Sequence, residues 1–88
     1  MNIEVLKFSA NWCSPCKILA NTLKDVIGIT NIDIEQDIET AVKYNVRSVP
    51  TLVFLRDGKE VHRVSGSMPL DKYKAILTEI NDAKELNN

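Results

Sequence analysis

The chain has 88 residues, 44% of them hydrophobic and 26% charged, which suits a single domain over 1–88 and excludes a globally disordered polymer. Its 11 basic and 12 acidic residues leave a formal net charge of −1, so no general attraction to nucleic acid or anionic lipid is expected. No apolar run approaches the roughly 20 residues that span a bilayer. Met1 to Phe8 has no basic segment ahead of a long apolar stretch, so no signal peptide is expected and a cytoplasmic location follows.

Ile3 to Phe8 reads as a strand, apolar on both faces as a central strand is, with Lys7 the exception. Asn11 to Pro15 forms a turn that opens a helix. Pro15 is tolerated in the first turn, where its missing N–H has no helical partner. Cys16, Leu19, Ala20, Leu23, Val26 and Ile27 then fall at helical spacing on one face, and Gly28 is a C-terminal cap. Asn31 to Glu35 alternates, with Ile32 and Ile34 against polar neighbours, as a strand with two unlike faces does.

Asp37 caps a short helix through about Tyr44, with Ile38, Ala41 and Val42 inward, and Asn45 suits a left-handed residue that ends it. Thr51 to Leu55 is β-prone, Asp57-Gly58 signals a hairpin turn, and Val61 and Val64 sit in a returning strand that ends at Ser65-Gly66. Ser67, Pro69 and Asp71 mark the last helix start. Leu70, Tyr73, Ile76, Leu77 and Ile80 form its apolar stripe, and residues 82–88 are polar enough to fray. The order β-α-β-α-β-β-α implies an α/β fold: a four-stranded mixed sheet flanked by three helices.

The two cysteines, Cys13 and Cys16, are poorly placed to staple the chain. A bridge over so short a loop stabilises well below the roughly 3 kcal/mol of a loop of about 15 residues. Redox chemistry or metal binding is left. Thiolate, not thiol, attacks a disulfide, and unpaired N–H groups at a helix start favour the negative charge on Cys13. A pKa drop from about 8.5 to about 7 raises the thiolate fraction at neutral pH roughly sixteen-fold. The weaker nucleophilicity of the less basic thiolate returns about four- to six-fold of that. Much of the benefit therefore comes from Cys16, one helical turn on and facing the core, which can resolve a mixed disulfide without an encounter step. A closed zinc site needs four ligands, which this chain could supply only by sharing the pair between two copies, since His62 is far along the sequence. A redox-inactive scaffold is the other alternative.

Trp12-Cys13-Ser14-Pro15-Cys16-Lys17 after a buried strand, the run Tyr44 to Thr51 with its Val49-Pro50-Thr51, and Asp57-Gly58 followed by Gly66 together resemble the thioredoxin family over nearly the whole chain. The resemblance implies a thiol–disulfide oxidoreductase in which Cys13 attacks and Cys16 resolves, needing no cofactor beyond the redox-active Cys13–Cys16 disulfide and no metal. It implies a cis peptide before Pro50, with Val49 backbone open to an extended substrate segment. Trp12 matches the indole beside the reactive sulfur, and Gly66 matches a glycine that lets substrate approach. Implied partners are disulfide-containing proteins, ribonucleotide reductase among them, and a thioredoxin reductase or glutathione as electron donor; a monomer is expected.

The chain departs from the family in three ways. It resembles a minimal form without the usual first strand and helix, close in size to glutaredoxins. Ser14 stands where glycine is usual between the cysteines, a dipeptide with Pro15 that influences the potential, as does the adjoining Lys17. Lys7 stands where a buried aspartate is usual, and Asn31 where its partner lysine is usual. Either Lys7 snorkels to water from near the strand end, or it is buried, with Asp33 or Glu35 available to pair, and its charge stabilises a Cys16 thiolate and makes the couple more oxidising. His62 and the charges Arg56, Lys59 and Arg63 on the hairpin read as a solvated face.

Overall fold

The computed structural model describes residues 3–86, with side-chain surroundings over 3–81. β1 (Ile3–Ser9) is apolar on both faces because it is an inner strand. It pairs in parallel with β2 (Ile29–Asp33) and antiparallel with β3 (Thr51–Arg56), and β4 (Lys59–Ser65) adds to the far side of β3, in the order β2-β1-β3-β4. Three helices, α1 (Ser14–Thr22), α2 (Ile38–Lys43) and α3 (Leu70–Leu86), complete the expected order of elements.

Strand alternation divides the core in two. Val5, Leu52 and Phe54 pack against Leu19 and Leu23 of the α1 region and Tyr73, Ile76 and Ile80 of α3. Leu6, Phe8, Val53 and Leu55 lie on the opposite face with Ile32 of β2 and pack with Ala41 of α2. The hairpin turn holds Asp57 and Gly58 both at positive φ, 51° and 85°, as a tight two-residue turn of the I′ kind requires. Past it the register slips between Phe54 and Leu55, which face His62 and Glu60 and leave Val61 unmatched. Asn45, at φ 54°, is left-handed just past α2, and the Asp37 carboxylate accepts the Thr40 N–H at its start.

Four expectations need correction. α1 stops at Thr22, and Val26 and Ile27 lie outside it, with Ile27 92% exposed. Three-residue turns from Asn21 to Lys24 and Leu23 to Val26 unwind the chain, so that the Gly28 carbonyl accepts the Val5 N–H and launches β2. β2 is therefore two residues earlier than the alternation suggests, and the Asp33 carboxylate ends it by accepting the Glu35 N–H at 2.8 Å. On α2 only Ala41 is buried, while Ile38 and Val42 face outward, because a six-residue helix presents little more than one residue to the sheet. Ala20 of α1 is likewise exposed.

The hairpin arginines are structural ties more than solvated charges. Arg63 pairs with Glu60 and donates to the Tyr44 carbonyl at 2.6 Å, pinning β4 to the end of α2. Arg56 donates to the Ile80 carbonyl of α3. The expected fraying over 82–88 meets a helical backbone as far as Leu86; residues 87 and 88 lie outside the described part.

The contrast between Leu19, wholly buried, and Ile27 is testable. Leu19→Ala should cost about 2–5 kcal/mol in urea unfolding, and Ile27→Ser should stay within about 0.5 kcal/mol of the parent. Equal losses at the two positions would contradict the short α1.

Candidate active site

β1 delivers the chain into a turn in which the Cys13 N–H donates to the Ala10 carbonyl at 3.2 Å. Cys13 is the N-cap of α1, with extended backbone at φ −94° and ψ 107°. Its sulfur accepts the Cys16 N–H at 3.1 Å, the position in which a capping side chain satisfies one of the orphan donors of a helix start. The Lys17 N–H then donates to the Cys13 carbonyl at 3.3 Å, and Pro15 occupies the first turn without needing an acceptor. Cys13 and Cys16 form a disulfide, with their Cα atoms 5.2 Å apart.

Burial does not separate the two sulfurs. Cys13 is 4% and Cys16 5% exposed, and both pack with Ala10, Ile34 and Val49. What differs is position: only the Cys13 sulfur sits at the helix N-terminus, where partial positive charge favours a thiolate. Ala10 and Ile34 were not legible as site residues, since nothing distinguishes them from ordinary core positions in the sequence.

Trp12 is 65% exposed and donates its indole N–H to Glu35 Oε2 at 3.0 Å. Glu35 is in turn fixed through its own N–H on Asp33. The sequence offered no sign of this tie, which spans 23 positions. Ser14 and Lys17 are exposed on the first turn of α1.

The Val49–Pro50 peptide is cis, and Pro50 is fully buried while Val49 touches the cysteine cluster. The Thr51 hydroxyl donates to the Ser48 carbonyl at 2.8 Å. The Gly66 N–H donates to the Pro50 carbonyl at 2.8 Å, so Gly66 is joined to the proline loop. Gly66 has φ 94°, and a Cβ built on it would meet nothing within 4 Å. Backbone conformation requires glycine there, and the space in front of it is open.

Lys7 lies in the interior of β1, opposite Asn31 on one side and Leu52 on the other. It is 8% exposed as a whole, and its amine, unlike Arg56 Nε, is not fully covered, so the stem is buried while the charged end keeps contact with water. Its expected carboxylate partners are engaged elsewhere, Asp33 with the Glu35 N–H and Glu35 with Trp12. Burial pushes its pKa below the ordinary 10.5. Lys7 shares a cleft of about 160 Å³ with Cys16, Ala10, Asn11 and Lys17.

His62 lies apart from the cysteine cluster. Its ring is 5.7 Å from that of Phe54, and it lines a cleft with Arg56 and Glu79 between the hairpin and α3. Among the described residues no three His, Cys, Asp or Glu side chains gather where one metal ion could sit, and no helix is long and apolar enough to cross a membrane.

Comparison with known proteins agrees with this geometry. The family model described as thioredoxin matches residues 2–79. The chain is 34% identical over 82 residues to a thioredoxin of Staphylococcus epidermidis, covering 85% of this chain and 79% of that protein. It is 33% identical, with the same coverage, to thioredoxin of Staphylococcus aureus. Among solved structures it is similar to Fasciola hepatica thioredoxin, with a TM-score of 0.81 and 34% identity, over 89% of this chain and 80% of that one.

The buried lysine has a measurable consequence. Its folded-state pKa is lowered, so between that value and about 10.4 the unfolded chain binds more protons and stability rises with pH. Lys7→Met lacks this dependence. The variant should melt above the parent near neutral pH, and the advantage should shrink as pH rises through that window. A pH-independent difference in melting temperature would contradict a desolvated amine.

Proposed function

The chain belongs to the thioredoxin family and is a thiol–disulfide oxidoreductase, and on that premise we propose that it reduces protein disulfides, with Cys13 attacking and Cys16 resolving. The observation that carries the assignment of roles is the Cys16 N–H held on the Cys13 sulfur at the start of α1. In the reduced chain the same N–H and the helix terminus stabilise a Cys13 thiolate. That thiolate attacks one sulfur of a substrate disulfide, and a substrate thiolate leaves. Cys16 loses its proton and attacks the Cys13 sulfur. The Cys13–Cys16 bond forms, the second substrate sulfur departs with the electron pair, and both substrate thiolates take up protons. The dithiol supplies both electrons, so the reaction calls for no cofactor.

Val49, Pro50, Gly66 and Trp12 form the substrate surface in this reading. Support comes from the open space over Gly66, its hydrogen bond to the Pro50 loop, and the exposed indole beside Cys13. An extended substrate segment would lie along this backbone, which tolerates varied substrate sequence. Lys7, Ser14, Pro15 and Lys17 surround the couple and tune its potential. The thioredoxin family acts on disulfide proteins and is recharged by a reductase; here the client would be an enzyme that forms a disulfide in each turnover, such as ribonucleotide reductase. Electrons would come from a thioredoxin reductase or glutathione, in the cytoplasm, to a monomer.

Cys16→Ser should trap a mixed disulfide with a disulfide-bonded protein substrate, seen as a reducible adduct by mass spectrometry, and Cys13→Ser should not. The reverse pattern would exchange the two roles. Equilibration with glutathione buffers should place the couple near about −270 mV for a thioredoxin-type reductant, or about −200 to −230 mV for one coupled to glutathione. Lys7→Met should shift that potential in the negative direction by more than about 10 mV. A smaller change would remove Lys7 from the tuning residues.

A further inference from the structure

Lys7 and Thr51 are the buried polar or charged residues among the described part of the chain. Thr51 is satisfied by Ser48 and Ser65. Lys7 has neither an ion pair nor a hydrogen-bond partner among the described residues, although it lies between two strands inside the sheet. Burial lowers its pKa, and no carboxylate offsets the effect. A buried charge is ordinarily paired, so the surroundings of this amine show what would pair with it.

Lys7 lines a cleft of about 410 Å³ at the β2 edge of the sheet. Asn31, its register partner on β2, lines the same cleft. Lys24 borders it from the turn after α1, and Leu23, Val26 and Ile29 give it an apolar wall. Lys24 and Asn31 are exposed, so the cleft is open to solvent. A smaller cleft that also includes Lys7 adds Lys17 and Asn11. No Asp or Glu borders either one. The whole chain carries 11 basic and 12 acidic residues, so three lysines without one carboxylate are a local excess of positive charge. The cleft of about 380 Å³ between the hairpin and α3 differs, because Glu79 lines it together with Arg56 and His62.

The donor set has a definite chemistry. Two ammonium groups offer donors and no acceptor, and the Asn31 amide adds two N–H donors. Their two charges match an oxyanion of charge −2. A phosphate group at neutral pH carries about −1.5 to −2, whereas a carboxylate carries one charge and leaves an ammonium uncompensated. Lysine binds phosphate as a point charge and needs no bidentate geometry. The apolar wall leaves room beside the phosphate for a hydrocarbon body.

We propose that this cleft is a binding site for a dianionic phosphate group, free or as the head of a small monoester, with Lys7 at its floor, Lys24 at its rim and Asn31 donating from β2. The bound anion supplies the counter-charge that the fold withholds from Lys7. Neither cysteine lines this cleft, so binding does not depend on the exchange reaction.

The test is a thermal-unfolding titration of the oxidised full chain with inorganic phosphate and with phenyl phosphate. It is run above the second ionisation of phosphate, about pH 6, with sodium chloride holding ionic strength constant. A ligand held only by the folded chain raises the melting temperature progressively once its concentration passes Kd, and both probes should do so. No rise beyond the chloride control would overturn the proposal. Lys7→Met and Lys24→Gln should each weaken binding about tenfold or more, the loss expected for one charge-assisted hydrogen bond. Lys59→Gln, on the hairpin, should leave it within about twofold; equal weakening there would mean diffuse attraction and no site. Benzoate, a monoanion with the same ring, should bind about tenfold more weakly than phenyl phosphate, and equal binding would overturn the match to a dianion. Tighter binding of phenyl phosphate than of inorganic phosphate assigns the site to a monoester, and equal binding of the two assigns it to free phosphate. Should Lys7→Met not fold, amide chemical shifts of the parent decide. Changes on adding phenyl phosphate that centre on Lys24, Ile29 and Asn31 support the site, and changes centred elsewhere overturn it.

Discussion

One hydrogen bond organises the working end of this molecule, the Cys16 N–H on the Cys13 sulfur. It exists because β1 ends in a turn and α1 begins at once, so that a sulfur occupies the capping position normally held by an oxygen. That placement gives the two cysteines different chemistry despite their equal burial. The same helix start brings Cys16 round by one turn, within reach of the sulfur it must attack. Ala10, Ile34 and Val49 pack against the pair, and Val49 leads straight into the cis peptide before Pro50.

The sheet serves this end by holding three separate segments in register. β1 presents the cysteine turn, β3 begins directly after Pro50, and β4 ends directly before Gly66. Antiparallel pairing of Thr51 with Ser65 places the last two side by side, and the Gly66 N–H closes the arrangement on the Pro50 carbonyl. The arginines act at a distance from this chemistry. Arg63 and Arg56 tie the hairpin to α2 and α3, which restrains the strands that carry the loops.

Lys7 is where fold and chemistry conflict. A position between Leu6 and Phe8 on an inner strand rewards an apolar residue, yet an unpaired amine is placed there. Such local inconsistency is expected where function, rather than stability, selects the residue. Its side chain borders one cleft that also holds Cys16 and another that holds Lys24 and Asn31.

Much of this was legible along the chain. The order of strands and helices followed from hydrophobic period and turn residues, because Asp57-Gly58, Asn45 and Gly66 sit at positive φ for reasons local to their own backbone. The pair Cys13 and Cys16 was legible because a helix start and one helical turn are short-range facts. The end of α1 at Thr22 was not, since the apolar period continues through Ile27 and only the demand that Gly28 reach Val5 unwinds it. The outward turn of Ile38 and Val42 depends on how little of α2 touches the sheet. The Trp12–Glu35 bond, the Arg63 tie and the isolation of Lys7 join positions far apart in sequence. Sequence alone thus determined the elements and the reactive pair, which depend on neighbours within a few residues. Tertiary structure decided which faces were covered, which charges found partners and which did not, because those outcomes depend on segments that meet only when the sheet is assembled.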